Sequence, residues 1–117
     1  MKKKKEIHRP WGDEDVFALN EKCSVKLITV KPNQELSLQS HKHRQENWYF
    51  LDAAKVQVGE KKFRVKKGDY IHIKKHQKHR VISLKNTVRF MEISFGHFDE
   101  KDETRYEDRY GRTSPKR

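Results

Sequence analysis

The sequence predicts an all-β domain built as a sandwich or barrel, and three observations lead to that class. Short runs of β-branched and aromatic residues recur along residues 24–95, with turn residues between them. Several runs alternate apolar and polar residues, which is the two-residue period of a strand with one buried face. The third observation is that we find no amphipathic helical pattern longer than two turns.

The first two predicted strands lie on either side of a turn. Residues 24–31 (SVKLITVK) are rich in β-branched residues, and Pro32 and Asn33 end the run. Residues 36–41 alternate in polarity, so that Gln39 and His41 would lie on one face. The second of these strands therefore carries polar, metal-binding side chains on one face.

The remaining predicted strands follow at short intervals. Two of them, 54–58 and 63–65, flank Gly59 and Glu60, which is a hairpin signal. The last strand alternates well, so one of its faces would carry Val88, Phe90, Glu92 and Ser94. The other predicted strands are 48–51, 70–73 and 80–84, with the last at 88–95.

Length and composition favour one small domain in a reducing compartment. The chain has 117 residues, of which 32% are hydrophobic and 38% charged, so its core is modest and a homodimer would add burial. Cys23 is the single cysteine, which excludes an internal disulfide and fits the cytoplasm. There is no apolar run of about 18 residues, so no membrane span or membrane partner is expected.

The charge of the chain points to an anionic partner. The formal net charge is +11, from 28 basic and 17 acidic residues, and such a surface attracts anions. Nucleic acid, an acidic membrane face or a small phosphorylated substrate would each fit this charge, and the sequence has no recognition helix, zinc finger or aromatic RNA-binding motif to support the first. We expect a basic tail at 1–8, a domain at 9–112 and a C-terminal tail at 113–117.

One short stretch concentrates metal-binding chemistry. In QSHKHRQENW (residues 39–48), Gln39, His41 and His43 recur at every second position and Glu46 follows. His79 lies further along, between two predicted strands. Imidazole, carboxylate and amide ligands suit a divalent transition metal such as zinc, manganese, iron, cobalt or nickel. The pattern therefore predicts a metal site on one face of a strand.

Four motifs resemble a known family, the small cupin domain of type II mannose-6-phosphate isomerases. The matching stretches are RPWG (9–12), LSLQSHKHRQENW (36–48), KHR (78–80) and RYEDRYGR (105–112). That domain occurs alone or as the C-terminal part of bifunctional mannose-1-phosphate guanylyltransferase/mannose-6-phosphate isomerases. The resemblance implies a single-domain cupin, a double-stranded β-helix or jelly-roll barrel, and we expect the stand-alone form here.

The resemblance also implies a ligand set. Aligned to the cupin motifs, the metal ligands are Gln39, His41, Glu46 and His79, with zinc as the first expectation and cobalt, manganese, nickel or iron as alternatives. An alternative register replaces Gln39 by His43 and keeps the other three. Asn33 and His76 stand where the motifs usually have glycine, and Asn tolerates the turn conformation that Gly supplies.

The implied activity is a metal-dependent aldose–ketose isomerisation of mannose 6-phosphate and fructose 6-phosphate through an enediol, within GDP-mannose biosynthesis. The candidates for moving the proton are His43, Glu46 and Lys78. Arginines suit bidentate contacts to phosphate. The resemblance points to Arg44, Arg80, Arg105 and Arg112.

One departure from the family pattern keeps other functions open. The family usually has Arg-x-Glu-His-Trp where this chain has Asn47 in place of the histidine, and an amide cannot shuttle a proton at neutral pH. One alternative is a non-catalytic cupin that binds a sugar phosphate or sugar nucleotide. Another is a different metal-cupin enzyme, such as a dioxygenase or an epimerase, because the fold does not fix the function.

Overall fold

A computed structural model describes residues 5–99 and 101–114 of the chain, and its regular structure is entirely β. The strands are β1 (Lys5–Arg9), β2 (Gly12–Val16), β3 (Cys23–Val30), β4 (Leu38–Ser40), β5 (Arg44–Phe50), β6 (Ala54–Val58), β7 (Lys61–Val65), β8 (Tyr70–Ile73), β9 (His79–Ile82), β10 (Val88–Gly96) and β11 (Thr104–Glu107). Within these residues no helix is long and apolar enough to cross a membrane.

The strands form two larger antiparallel sheets and a separate hairpin. One sheet has the order β3-β10-β5-β8, and the other has the order β11-β4-β9-β6-β7. Both orders bring strands distant in sequence next to each other, as expected for a double-stranded β-helix. β1 pairs only with β2, as a two-stranded sheet at the N-terminal end. The all-β prediction is confirmed.

The hydrophobic core lies between the two sheets. Trp48 and Phe50 of β5 pack against Phe90 of β10, with ring centroids 5.5 Å and 5.3 Å from that of Phe90. Val56 of β6 and Val81 of β9 are fully buried on the opposite sheet. Burial of large aromatic side chains dominates the stability of so small a core, and it fixes the distance between the sheets next to the polar site.

The observed strand bounds agree with the predicted ones in two strands and differ at the metal-binding motif. Strands were predicted at 54–58 and 70–73, and β6 and β8 have those bounds. β4, however, ends at Ser40, so that residues 41–43 form a connection and β5 begins at Arg44. The prediction that His43 shares one strand face with Gln39 and His41 is therefore wrong.

Three strands, β1, β2 and β11, were not predicted. β1 and β2 form a hairpin over the sequences KEIHR and GDEDV, which carry too few apolar residues to show a strand period. Residues 5–8 of the expected tail therefore belong to a strand, whereas residues 1–4 lie outside the described part. At the other end, Ser114 hydrogen-bonds the backbone of Arg105 in β11, and residues 115–117 are outside the described part.

Left-handed backbone conformations at Asn33, His76 and Gly96 bear on the turns of the fold. Asn33 and His76, which replace family glycines, have φ values of 59° and 67°. Gly96 has φ 108°, and a Cβ there would lie 2.5 Å from the carbonyl oxygen of His43. Any side chain at Gly96 would push the end of β10 away from the connection between β4 and β5.

Candidate metal centre and substrate cavity

Glu46 lies at the centre of a buried cluster of ligand-type side chains. It is on β5 and is 1% exposed. Its Oε2 is 3.2 Å from His41 Nε2, and its Oε1 is 3.7 Å from His79 Nε2. One ligand atom from each of the three residues lies within 4.8 Å of the others. Two imidazoles and one carboxylate form a donor set that suits a divalent transition metal.

Backbone carbonyls orient both imidazoles toward Glu46. His41 Nδ1 is 2.8 Å from the carbonyl oxygen of Asp102, and His79 Nδ1 is 2.8 Å from the carbonyl oxygen of Gln77. A carbonyl only accepts, so each Nδ1 carries the hydrogen and each Nε2 presents its lone pair. This is the second-shell arrangement typical of metal-binding histidines.

Three segments of the chain meet at His41. The backbone N–H of His76, from the loop before β9, donates to the His41 carbonyl at 2.7 Å. The Asp102 carboxylate accepts from the backbone N–H groups of Lys42 at 3.0 Å and His43 at 2.8 Å. The loop after β10 therefore holds both the side chain of His41 and the backbone that follows it.

Strand register places Gln39 beside His79. Gln39 of β4 lies directly opposite His79 of β9 on one side and Arg105 of β11 on the other. Directly opposed residues point to the same face of a sheet. All three side chains line the same cavity, and the Gln39 amide donates to the Ser37 carbonyl at 3.4 Å.

Several neighbours stabilise the negative charge of the Glu46 carboxylate. Trp48 Nε1 donates to its Oε1 at 3.0 Å, and Arg44 Nε donates to its Oε2 at 3.1 Å. Burial alone would raise the pKa of the Glu46 carboxyl, but the close His41 imidazole, a hydrogen bond from Glu92 and the nearby His79 hold that pKa well below its ordinary value. Glu46 is therefore ionised at neutral pH.

Two neighbours of Glu46, Glu92 and His79, have pKa values that are shifted so that each neutral form is favoured. Burial, together with the charge of Glu46 and the hydrogen bond to it, raises the pKa of Glu92 to about 9. Burial lowers the pKa of His79 to about 4, against the attraction of Glu46. Both groups are neutral at pH 7, so the cluster contains a neutral imidazole ready to bind a metal and a carboxylic acid that can donate a hydrogen bond.

The cluster opens into a cavity of about 320 Å³ between the two sheets. That volume is at the lower end of the range of roughly 300–1,000 Å³ typical of small-molecule sites. The wall combines the ligand cluster with cations and with apolar side chains of the core. The lining residues include Lys26, Gln39, Arg44, Glu46, Trp48, His79, Phe90, Glu92, Phe98, Glu103, Arg105 and Arg112.

Three of the four predicted phosphate-binding arginines line this cavity. Arg44 is 5% exposed and donates to Glu46, to the Asp99 carbonyl and to His41 Nε2. Arg105 pairs with Glu103 at 2.5 Å, and Arg112 pairs with Asp108 at 2.8 Å. Arg80 is directed elsewhere, because its guanidinium binds the side chain of Glu107 and the carbonyl of Leu36.

Two of the three predicted proton-transfer residues lie apart from the Glu46 cluster. Lys78 Nζ sits 4.2 Å from the centroid of the Tyr106 ring. His43 is exposed and lines a separate groove with Lys42, Asp102 and Tyr106. Glu46 is the predicted proton-transfer residue that contacts the cavity with its side chain.

Asn47 faces away from the metal-binding cluster. Successive residues of β5 point to opposite faces, and Glu46 and Trp48 point inward. Asn47 is fully buried on the other face, where its Oδ1 is 2.8 Å from His72 Nδ1 of β8. The family histidine that Asn47 replaces would therefore lie on the outer side of the sheet in this chain.

Lys26, Glu92 and Phe98 line the cavity although the sequence motifs did not predict them as site residues. Glu92 carried a signal, since it is an acidic residue on the strand face shared by Val88 and Phe90. Lys26 and Phe98 carried none, because a lysine on an edge strand and a phenylalanine after a strand are ordinary surface and core residues. Their proximity depends on the pairing of β3 with β10.

Two antiparallel β-sheets that enclose a buried His/Glu/His cluster define the cupin class of double-stranded β-helix proteins. The chain matches the family described as mannose-6-phosphate isomerase C-terminal over residues 1–108. This match covers most of its length, and the chain belongs to that family. A Klebsiella pneumoniae protein with a double-stranded β-helix domain has the same fold, with a TM-score of 0.65 at 19% identity over 88% of this chain and 85% of that one.

Curated relatives are similar in sequence but much longer. The alginate biosynthesis protein AlgA of Pseudomonas putida is 38% identical over 112 residues, which is 93% of this chain and 23% of AlgA. The mannose-1-phosphate guanylyltransferase ManC of Salmonella typhimurium is 35% identical over 111 residues, which is 92% of this chain and 23% of ManC. The chain thus spans about a quarter of the length of these relatives.

Proposed function

We propose that the protein is a metal-dependent isomerase that interconverts mannose 6-phosphate and fructose 6-phosphate. One observation carries the proposal: a buried cluster of His41, Glu46 and His79 opens into a cation-lined cavity of hexose size. Membership of the mannose-6-phosphate isomerase C-terminal family supports the same reaction.

The residues of the cluster fit a divalent metal. His41 and His79 present their Nε2 atoms, Glu46 supplies a carboxylate, and Gln39 lies beside His79 as the fourth ligand. We favour Gln39 over His43, since Gln39 lines the cavity and His43 lines the neighbouring groove. A bound zinc, cobalt, manganese, nickel or iron ion would polarise the oxygens at C1 and C2 of the sugar.

The other residues of the cavity would bind and orient the substrate. Isomerisation takes a proton from C2 of the aldose and returns one to C1 through an enediol, so the sugar must be held with those carbons next to the cluster. Arg105 and Arg112 offer guanidinium groups to the phosphate from β11 and the segment after it. Core side chains such as Trp48 exclude water from the inner wall.

The test is an isomerase assay on protein stripped of metal and reloaded with each of the five metals in turn. We expect activity to return with at least one metal and to fall at least ~100-fold in His79→Ala, because the loss of one ligand breaks the donor set. His97→Ala is a matched control, since His97 is exposed and outside the cluster. A metal-loaded protein that never interconverts the two sugar phosphates would refute the proposal.

A second candidate is a non-catalytic sugar-phosphate-binding cupin that works beside a guanylyltransferase. The name of ManC and the short span of this chain within it favour this alternative. Calorimetric binding of mannose 6-phosphate without turnover would select it. Either function would belong to GDP-mannose biosynthesis, and a cytoplasmic location stays a prediction.

A further inference from the structure

We infer that Lys26 binds the phosphate of a phosphorylated sugar at the mouth of the cavity, with Phe98 positioning its ammonium group. The inference rests on the proposed function and adds to it a further residue that, beside Arg105 and Arg112, distinguishes a sugar phosphate from a neutral sugar.

Strand register directs Lys26 into the cavity. Lys26 of β3 lies directly opposite Glu92 of β10, which in turn lies opposite Trp48 of β5. Opposed residues share a face, so Lys26 points toward the inside of the sandwich. It nevertheless remains exposed, because β3 is at the edge of its sheet. Because Lys26 lies on the inward face and is still exposed to solvent, its ammonium group lies at the mouth of the cavity.

The other cations of the cavity are already bound to carboxylates. Arg44 donates to Glu46 and Arg105 pairs with Glu103, while Arg112 is held by a carboxylate outside the cavity. Among the ion pairs of residues 5–99 and 101–114, none involves Lys26, and its cross-strand neighbour Glu92 is turned toward Glu46 in the interior. Lys26 is therefore a cavity cation that can bind an anion without leaving an ion pair with a described residue, whereas Arg105 and Arg112 would contact the phosphate only by sharing their guanidinium groups with Glu103 and Asp108.

Phe98 holds the ammonium group in place. Lys26 Nζ lies 3.9 Å from the centroid of the Phe98 ring, and Arg44 Cζ lies 4.4 Å from the same centroid. A cation over an aromatic face is attracted to the ring without using its N–H groups in hydrogen bonds. The N–H donors of Lys26 that point away from the ring therefore remain available for phosphate oxygens.

The experiment is calorimetry on metal-loaded protein with mannose 6-phosphate, mannose and inorganic phosphate as separate ligands. We expect Lys26→Met to weaken mannose 6-phosphate binding at least tenfold and to leave mannose binding unchanged. Lys26→Arg should restore most of the affinity. Phe98→Leu should weaken mannose 6-phosphate binding by a smaller factor. Lys62→Met, on the exposed strand β7, is the control of equal charge change and should bind like the parent protein.

In the isomerase assay, Lys26→Met should raise KM for mannose 6-phosphate and keep kcat. Equal losses for mannose and mannose 6-phosphate would reveal a structural defect and overturn the role in phosphate binding. Unchanged binding of mannose 6-phosphate would also overturn it while leaving the isomerase intact. If the parent protein neither binds nor isomerises mannose 6-phosphate, the proposed function fails. Inorganic phosphate binding that depends on Lys26 would then still support the anion site, and its absence would overturn both.

Discussion

Glu46 and Glu92 place two carboxyl groups in one buried site without placing two charges there. Glu46 keeps its charge because Arg44 and Trp48 donate hydrogen bonds to it. Glu92 instead stays protonated, since a second buried charge beside Glu46 would be unfavourable. The pair resembles other carboxyl pairs in which one proton is shared between two close groups.

This arrangement predicts a pH-dependent stability contribution from Glu92. Its pKa is raised from an ordinary 4.5 to about 9, so the folded state binds a proton that the unfolded state releases above pH 4.5. Its contribution is therefore fully present below pH 4.5 and is lost as the pH rises toward 9. In metal-free protein, Glu92→Gln should gain stability relative to the parent protein, by up to about 2 kcal/mol, between about pH 7 and pH 9.

Urea unfolding of both proteins at the two pH values measures this difference. The amide introduced by Glu92→Gln would keep a donor to Glu46 without titrating. Glu60→Gln, in the exposed turn between β6 and β7, is the matched control and should show no pH-dependent gain. A constant difference between Glu92→Gln and the parent protein would mean that Glu92 is ionised throughout.

The position of Asn47 leads to a prediction about activity, because this residue lies on the outer face of β5 beside His72. Restoring the family histidine with Asn47→His should give no increase in isomerase activity. It should lower the free energy of unfolding by about 1–3 kcal/mol, since a larger ring replaces a fully buried, hydrogen-bonded amide. Activity assays and urea unfolding test both statements, with the exposed Asn86→His as control. A clear gain in activity would place residue 47 in the reaction.

At the scale of elements, the loop after β10 connects the metal-binding cluster to the C-terminal segment. Asp102 accepts from the backbone of Lys42 and His43 with its carboxylate, and its carbonyl accepts from His41. The same loop leads into β11, which carries Arg105. The orientation of His41 and the position of Arg105 therefore depend on one connection.

We expect Asp102→Ala to weaken metal binding about 10- to 100-fold, the range seen when an outer-shell partner is lost. The reason is that the two backbone donors after His41 would lose their acceptor. The Asp102 carbonyl remains in the Ala variant, but the loop that carries it would no longer be fastened against His41, so the imidazole would be oriented less firmly. Competition with a chelating dye measures the affinity. Asp102→Asn keeps one oxygen and should lose less, and Asp13→Ala in the N-terminal hairpin should lose nothing. Unchanged affinity in Asp102→Ala would show that the loop does not hold the ligand.

Elements differed in how far the sequence predicted them. β6, β8 and β10 combine β-branched or aromatic residues with period-two alternation, and their positions followed from that pattern. β1, β2 and β11 are mostly charged, so their strand conformation depends on pairing partners that a local pattern does not reveal. The end of β4 at Ser40 was missed because the contacts of Asp102 and His76 with residues 41–43 are long-range.

At the scale of the whole molecule, several large apolar side chains are exposed together on the outer side of the β3 sheet. Leu27 pairs with Met91 on the face opposite the core, and Val25 and Leu27 are 58% and 60% exposed. β3 is also an edge strand of its sheet. An exposed edge with apolar side chains favours pairing with another chain, and the homodimer stays a prediction for which this edge is the surface to test.

Leu27→Lys should therefore shift the protein from dimer to monomer, because a charge on the outer face opposes its burial. Sedimentation equilibrium measures the mass, with twice the chain mass expected for the parent protein. Glu60→Lys places the same charge in an exposed turn away from β3 and should stay dimeric. A monomeric parent protein would contradict the predicted dimer.

The sequence by itself determined the all-β class and the types of ligand, since strand period and the chemistry of His41, Glu46 and His79 are local properties. Tertiary structure decided which side chains share the cavity. Glu92 and Lys26 join Glu46 through strand register, and Arg80 and Lys78 are bound to partners elsewhere. The physical reason is that register and sheet order arise from contacts across the chain, and a shift of one residue would turn each side chain to the other face.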